Sequence, residues 1–181
     1  MNTELVQRAR DGDQGAFEAL AESVADRLYT TAALVLHDRT LAEDAVQETL
    51  IRTWRSLPRL RDAARFDAWQ RRILVHACLD LAQRERHSRS EHELTDTLAA
   101  DVDIESVAAT RDAVSQAFAT LTPAHRAAFV LRHYFGHPVV EVADALHVPL
   151  GTAKSRIHYA EQAMARAMEV AGEPAALGGV A

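Results

Sequence analysis

Residues 138–159 read PVVEVADALHVPLGTAKSRIHY, and where this string is cut decides the architecture. Val139, Val142, Ala143 and Leu146 recur at three and four, the spacing of one helix face. Pro149 cannot sit inside a helix and pushes its predecessor out of helical backbone. His147-Val148-Pro149 is therefore a tight turn, and a longer helix is predicted from about Leu150 to Val170. A short helix, a turn of three or four residues and a longer helix make a helix-turn-helix. Small Ala143 suits a close approach of the two helices, and Val148 and Ile157 close the core between them. That packing leaves Thr152, Lys154, Ser155, Arg156, His158 and Tyr159 to face a major groove. Lysine and arginine pair there with phosphates or with guanine, and hydroxyls serve either role. An ordinary helical hairpin with a solvated polar face fits the same string.

Upstream, nearly every segment has helical periodicity and is rich in alanine, leucine, arginine and glutamate, all good helix formers. Thr122-Pro123 is a start signal, a capping hydroxyl followed by proline in the first turn, and Gly136 ends the helix it opens. Another helix is expected from about Ile104 to Ala119. Near the start, one helix or a pair covers Thr3 to Leu36, broken or capped at Gly12-Asp13. Thr40-Leu41-Ala42-Glu43 has the form of a capping box, opening a helix to about Leu57 with Ala42, Val46, Leu50, Thr53 and Trp54 on its inner stripe. Pro58 to Arg65 reads as an arginine-rich loop, and Phe66 to about Arg86 as a long helix with Phe66, Trp69, Ile73, Ala77 and Leu81 inward. The expected fold class is all-α, with two small helical domains over residues 1–87 and 104–170. A flexible acidic linker, 88–103, joins them, and a disordered tail occupies 171–181.

Charge is segregated along the 181 residues, whose net charge is -6. Ten arginines lie between Arg52 and Arg89, and seven acids between Glu91 and Asp112. Only the first block suits phosphates. Cys78 is the single cysteine, so neither an internal disulfide nor a cysteine zinc cluster is available and a reducing cytoplasm is expected. The polar start, Met1 to Arg10, has no signal-peptide character, and no apolar run approaches the roughly 18 residues of a membrane span. No membrane insertion is expected. Arg52, Trp54, Arg55, Arg59, Arg61, Arg65, Phe66, Trp69, Arg71 and Arg72 interleave aromatics with cations, a pattern suited to a single-stranded nucleic acid. Trp54 and Trp69 also fit packing positions on their helices, whereas Arg59, Leu60 and Arg61 have no evident core role.

These residues carry a resemblance. LAEDAVQETLIRTW at 41–54, followed by FDAWQRRI at 66–73, resembles region 2 of the extracytoplasmic-function sigma factors of bacterial RNA polymerase. LTPAHR at 121–126, Glu141-Val142-Ala143 and GTAKSRI at 151–157 are similar to their region 4. The resemblance implies a group 4 sigma factor that binds core polymerase, through the β′ clamp and β subunits, together with promoter DNA and an anti-sigma factor. Asp44, Gln47, Glu48 and Arg52 match the face set against the β′ clamp. Leu60 and Arg61 match the loop that accepts a flipped base of the minus 10 element, with His76 on the following helix and Arg59 and Arg65 beside it on the basic loop. Thr152, Lys154, Ser155 and Arg156 match the helix that enters the minus 35 groove, which His158 and Tyr159 extend. His76 stands where the family commonly has asparagine, and Tyr159 and Glu161 where arginine is frequent. No cofactor and no catalytic residue is implied.

Two other classes compete. Nine histidines invite a metal enzyme, but His133 and His137 are separated by a helix end at Gly136, and no carboxylate completes a recognisable site. A helix-turn-helix regulator acting without polymerase would use only Lys154 and Arg156 on duplex DNA, with the first half for dimerisation. It differs in binding duplex tightly on its own.

Overall fold

A computed structural model describes residues 3–92 and 115–172, and every regular element in them is helical. The first domain contains α1 (Thr3–Arg10), α2 (Gln14–Leu36), α3 (Arg39–Ser56) and α4 (Phe66–His92), with two 3-10 turns, Leu57–Arg59 and Ala63–Arg65, between α3 and α4. The second contains α5 (115–120), α6 (Pro123–Phe129), α7 (Val139–Leu146) and α8 (Leu150–Gly172). The first residues of the stretch read as linker continue α4. The remainder of that stretch, the start of the helix expected from Ile104, and the tail from 173 lie outside the described residues. No helix among the described residues is long and apolar enough to cross a membrane.

Local chemistry sets the helix ends. Gly12 takes a positive φ of 99°, and Asp13 caps α2 by accepting from the Ala16 amide at 2.9 Å. α2 closes on His37 in left-handed backbone. Asp38, rather than Thr40, then caps α3, accepting from the Leu41 amide at 2.9 Å. The expected capping box is corrected because a carboxylate two residues earlier takes the orphan donor first, which places Thr40 inside the helix. Thr122 caps α6 with Pro123 in its first turn, and α6 runs into a π-turn, Val130–Tyr134, before Gly136 at φ 70°.

The inner stripes are rotated from those expected. α3 buries Ala42, Ala45, Thr49 and Thr53, while Trp54 stays 40% exposed with its ring 4.7 Å from Phe17. α4 buries Phe66, Gln70, Leu74, Val75, Ala77, Cys78 and Ala82, whereas Trp69, Ile73 and Leu81 are only half-buried. The reason is that α4 is flanked on one side by α2 and α3 and on another by α6 and α7, so its buried arc is wider than one stripe.

Those contacts unite the domains. Leu20, Val24 and Leu28 of α2 and Leu74 of α4 share one apolar cluster with Ala127, Ala128, Leu131, Val142 and Leu146. At its edge Arg126 is only 6% exposed. Its guanidinium donates to the carbonyls of Val35 at 2.6 Å and Leu36 at 2.9 Å, at the end of α2, and to Leu121 at 2.7 Å in its own domain. Burial pushes its pKa down to about 10, which leaves it charged at neutral pH.

Cys78 lies wholly inside this core, and burial pushes its thiol up to about 12. Thiolate is the reactive form, so iodoacetamide at pH 8 is expected to leave the folded chain unlabelled and to modify it fully in denaturant. Labelling in buffer at the rate of a free thiol would contradict this burial.

Candidate nucleic-acid interface

The helix-turn-helix is built as its spacing predicts. His147 adopts left-handed backbone at the end of α7, and the Val148 amide donates to the Ala143 carbonyl at 3.1 Å, which turns the chain into α8. Ala153, Ile157, Ala160 and Met164 of α8 are buried. Gly151, Lys154, Ser155 and His158 consequently share the fully exposed face, with Thr152 and Arg156 half-buried at its flank. Ser155 returns its hydroxyl to the Thr152 carbonyl at 3.0 Å. Tyr159 is 57% exposed but stacks on His125 of α6 at 4.6 Å, so its ring is held against its own domain. Burial and the nearby Arg156 guanidinium hold His125 below the ordinary imidazole range. Glu161, where arginine is frequent in the resembled family, accepts from His133 at 2.9 Å.

On the first domain, Arg59, Arg61 and Arg65 are exposed on the connection from α3 to α4, Arg59 and Arg65 within the two 3-10 turns and Arg61 between them, and Arg65 lies 3.5 Å from Asp62. Leu60, expected on that loop surface, is 8% exposed and belongs to the core cluster. A cavity of about 850 Å³ opens beside it, lined among others by Leu60, Arg61, Arg65, Trp69, Arg72 and Asp144. His76 does not face this opening freely. Its ring lies tilted against that of His147, 4.3 Å between centroids, and burial, then His147 and Arg72, hold its pKa below the ordinary value.

The third surface is α3. Asp44 and Gln47 are exposed, while Glu48 is half-buried and accepts from Arg52 at 2.7 Å. Arg52 also donates to Asp80 of α4 at 2.9 Å, so it ties two helices together as well as lying on the candidate face. Exposed Ile51 and Trp54 adjoin these groups.

Sequence reasoning missed Arg126, His137 and His147, which join the domains. Only Arg126 left a signal, a cation at an inward position of an otherwise apolar helix.

Basic connection, exposed α8 face and acidic α3 face are separate surfaces of a two-domain helical protein that carries a helix-turn-helix. Residues 20–88 match the family model Sigma-70 region 2, and residues 111–164 match Sigma-70, region 4. The ECF RNA polymerase sigma factor SigL of Mycobacterium tuberculosis is 30% identical over 172 residues, 92% of this chain and 97% of that one. RNA polymerase sigma factor CarQ of Myxococcus xanthus is 32% identical over 155 residues, 84% of this chain and 89% of that one. In fold the chain is similar to the sigma factor RpoE in its complex with the anti-sigma factor NepR from Bartonella quintana, with a TM-score of 0.66 and 19% identity. That match covers 85% of this chain and 97% of that one. CnrH, in complex with the cytosolic domain of CnrY, gives a TM-score of 0.63 at 24% identity, over 93% and 97% of the two chains.

The chain belongs to the extracytoplasmic-function sigma factors of the sigma-70 family. It binds core RNA polymerase and directs promoter recognition and DNA melting at initiation. The polymerase-independent regulator is not favoured, since relatives matched over 89% and 97% of their own length are named sigma factors.

Proposed function

We propose that residues 1–87 dock on the polymerase β′ clamp through Asp44, Gln47, Glu48 and Arg52. They read the minus 10 element with Arg59, Leu60, Arg61, Arg65 and His76. Residues 104–170 read the minus 35 element through Thr152, Lys154, Ser155, Arg156, His158 and Tyr159, with contacts to the β subunit, and the acidic stretch 88–103 connects the two. The chain acts in the cytoplasm as a recognition subunit with no catalytic step of its own. An anti-sigma factor is proposed as a further partner, as in the RpoE complex with NepR.

The observation that carries this reading is the exposed Gly151, Lys154, Ser155 and His158 face at the start of α8, the end that a helix-turn-helix presents to base edges. Transcription from genomic fragments by core polymerase, with and without the protein, tests it. Specific starts should require the protein, and a duplex site bound tightly without polymerase would oppose the reading.

Asp44→Arg provides the cleaner test of docking, because Asp44 is exposed whereas Glu48→Lys also releases Arg52 from its pair. Asp44→Arg should weaken core-polymerase binding about tenfold, the scale of one interfacial charge contact, with unchanged helicity. Glu48→Lys should weaken binding and also lower stability by roughly 1 kcal/mol. Wild-type affinity for both in a pull-down would remove this face from the interface.

A further inference from the structure

Two consecutive arginines of α4 reach across to the two ends of α7. Arg71 donates to Nε2 of His137, just before α7, and Arg72 donates to Nε2 of His147, its last cap. Arginine is always a donor and never an acceptor. Each imidazole must therefore offer a bare Nε2, so each contact exists only while the ring is neutral with its proton on Nδ1. His137 fits that tautomer, since its Nδ1 faces Glu141 Oε2 at 2.7 Å. Arg71 also lies over the Phe135 ring, 3.9 Å from its centroid, and the His147 ring lies against His76.

We infer that this pair of arginine-to-histidine contacts is a proton-sensitive clamp that adds to the shared core and to Arg126 in holding the two domains together at neutral pH, and that acidification loosens it. Protonating His137 or His147 removes the acceptor and sets a new cation against an arginine. The neighbouring charges do not cancel this effect. His137 faces Arg71, with Arg27 and Asp67 behind it, and Glu141; Arg132 holds its carbonyl at 3.1 Å. The Glu141 pair lies within the second domain and survives in both states, so it contributes nothing to the difference. His147 faces Arg72 and His76, with Asp80 one turn further along α4 and Asp144 on its own helix.

His76 acts in the same sense. Nε2 of this ring is buried without a hydrogen-bond partner among the described residues, and the closed arrangement holds its pKa below the ordinary value. A depressed imidazole pKa stabilises the closed form above the ordinary value and loses that contribution as pH falls. Acidification through the imidazole range therefore favours the open form. In the closed form Glu141 and Asp144 of α7 line the same cavity as Arg61, Arg65, Arg71 and Arg72. That opening therefore also exposes the minus 10 reader rests on the function proposed above; the clamp itself does not.

The full chain, labelled with a donor and acceptor dye at Ala19→Cys and Ala165→Cys, tests the clamp by single-molecule energy transfer. Both positions are exposed, and buried Cys78 stays unlabelled. Between pH 7.5 and 5.5 the ratio of open to closed molecules should rise about tenfold. In the double variant His137→Gln and His147→Asn, whose amide oxygens accept from arginine at any pH, most of that rise should vanish while helicity is unchanged. A wild-type ratio that is the same at both pH values, or a double variant that keeps more than half of the response, overturns the clamp. Neither outcome bears on polymerase or promoter binding, which this experiment does not involve.

Discussion

Arg126→Met is expected to lower the stability of the folded chain by about 3 kcal/mol and its melting temperature by roughly 6–12 °C. Methionine matches the length of the stem and recovers the cost of burying a charge, a cost visible in the depressed pKa of about 10. Against that gain stand the carbonyls of Val35, Leu36 and Leu121, which lose a charged donor at 2.6 to 2.9 Å. The loss dominates because a buried acceptor left without a donor costs about 1 to 3 kcal/mol, and three are left. Arg126→Lys keeps the charge but not the planar fork, so it should recover only part of the difference. Thermal melts followed by circular dichroism decide the matter. Equal melting temperatures for wild type and Arg126→Met would mean that water replaces the guanidinium at no cost.

The second large effect is expected at the upstream promoter element. Lys154 lies on the exposed face of α8 with Ser155, whereas Arg156 sits half-buried at its flank near His125. Centre and flank are different tasks. Lys154→Ala should relax base preference in the minus 35 element, at about 1 to 3 kcal/mol of discrimination, or roughly tenfold in binding. Arg156→Ala should weaken all sequences alike and lower the salt slope by about one, as loss of a phosphate contact does. Holoenzyme binding to promoters varied in that element, at several salt concentrations, separates the two. Unchanged affinity and preference in both variants would mean that α8 is not the upstream reader, and reversed effects would exchange the roles.

Most of what short-range chemistry controls was legible in the sequence. Thr122-Pro123 starts α6, Asp13 caps α2, and the turn at His147-Val148-Pro149 separates α7 from α8, because each depends on residues within one turn. The Thr40 capping box failed for a local reason, since Asp38 lay closer to the same orphan amides. The inner stripe of α4 was misplaced for a non-local one. A single amphipathic stripe assumes one neighbour, and α4 has neighbours on two sides, which buries Gln70 and Leu74 and leaves Trp69 at the edge. The exposed residues of α8 followed directly from its buried ones, Ala153, Ile157 and Ala160. Leu60 and His76 did not follow in this way. Burial of Leu60 depends on how the 3-10 turns fold beneath it, and the surroundings of His76 come from His147, far away in the chain. Contacts between Arg71 and His137, or between Arg126 and Val35, span many residues and leave no periodic trace.

Alanine recurs in the interior of the second domain: Ala127, Ala128, Ala143, Ala153 and Ala160 are all buried. Alanine has no side-chain rotamers to lose on ordering and lets helix backbones approach closely, but it removes little apolar surface from water. A unit of this size is marginal as an autonomous folding body. Leu131, Val142 and Leu146 complete their burial in the cluster shared with α2 and α4, so the promoter reader borrows part of its cohesion from its neighbour. Parting the two domains therefore has a thermodynamic consequence beyond geometry: it withdraws part of the cover from the helix-turn-helix and leaves that unit less stable.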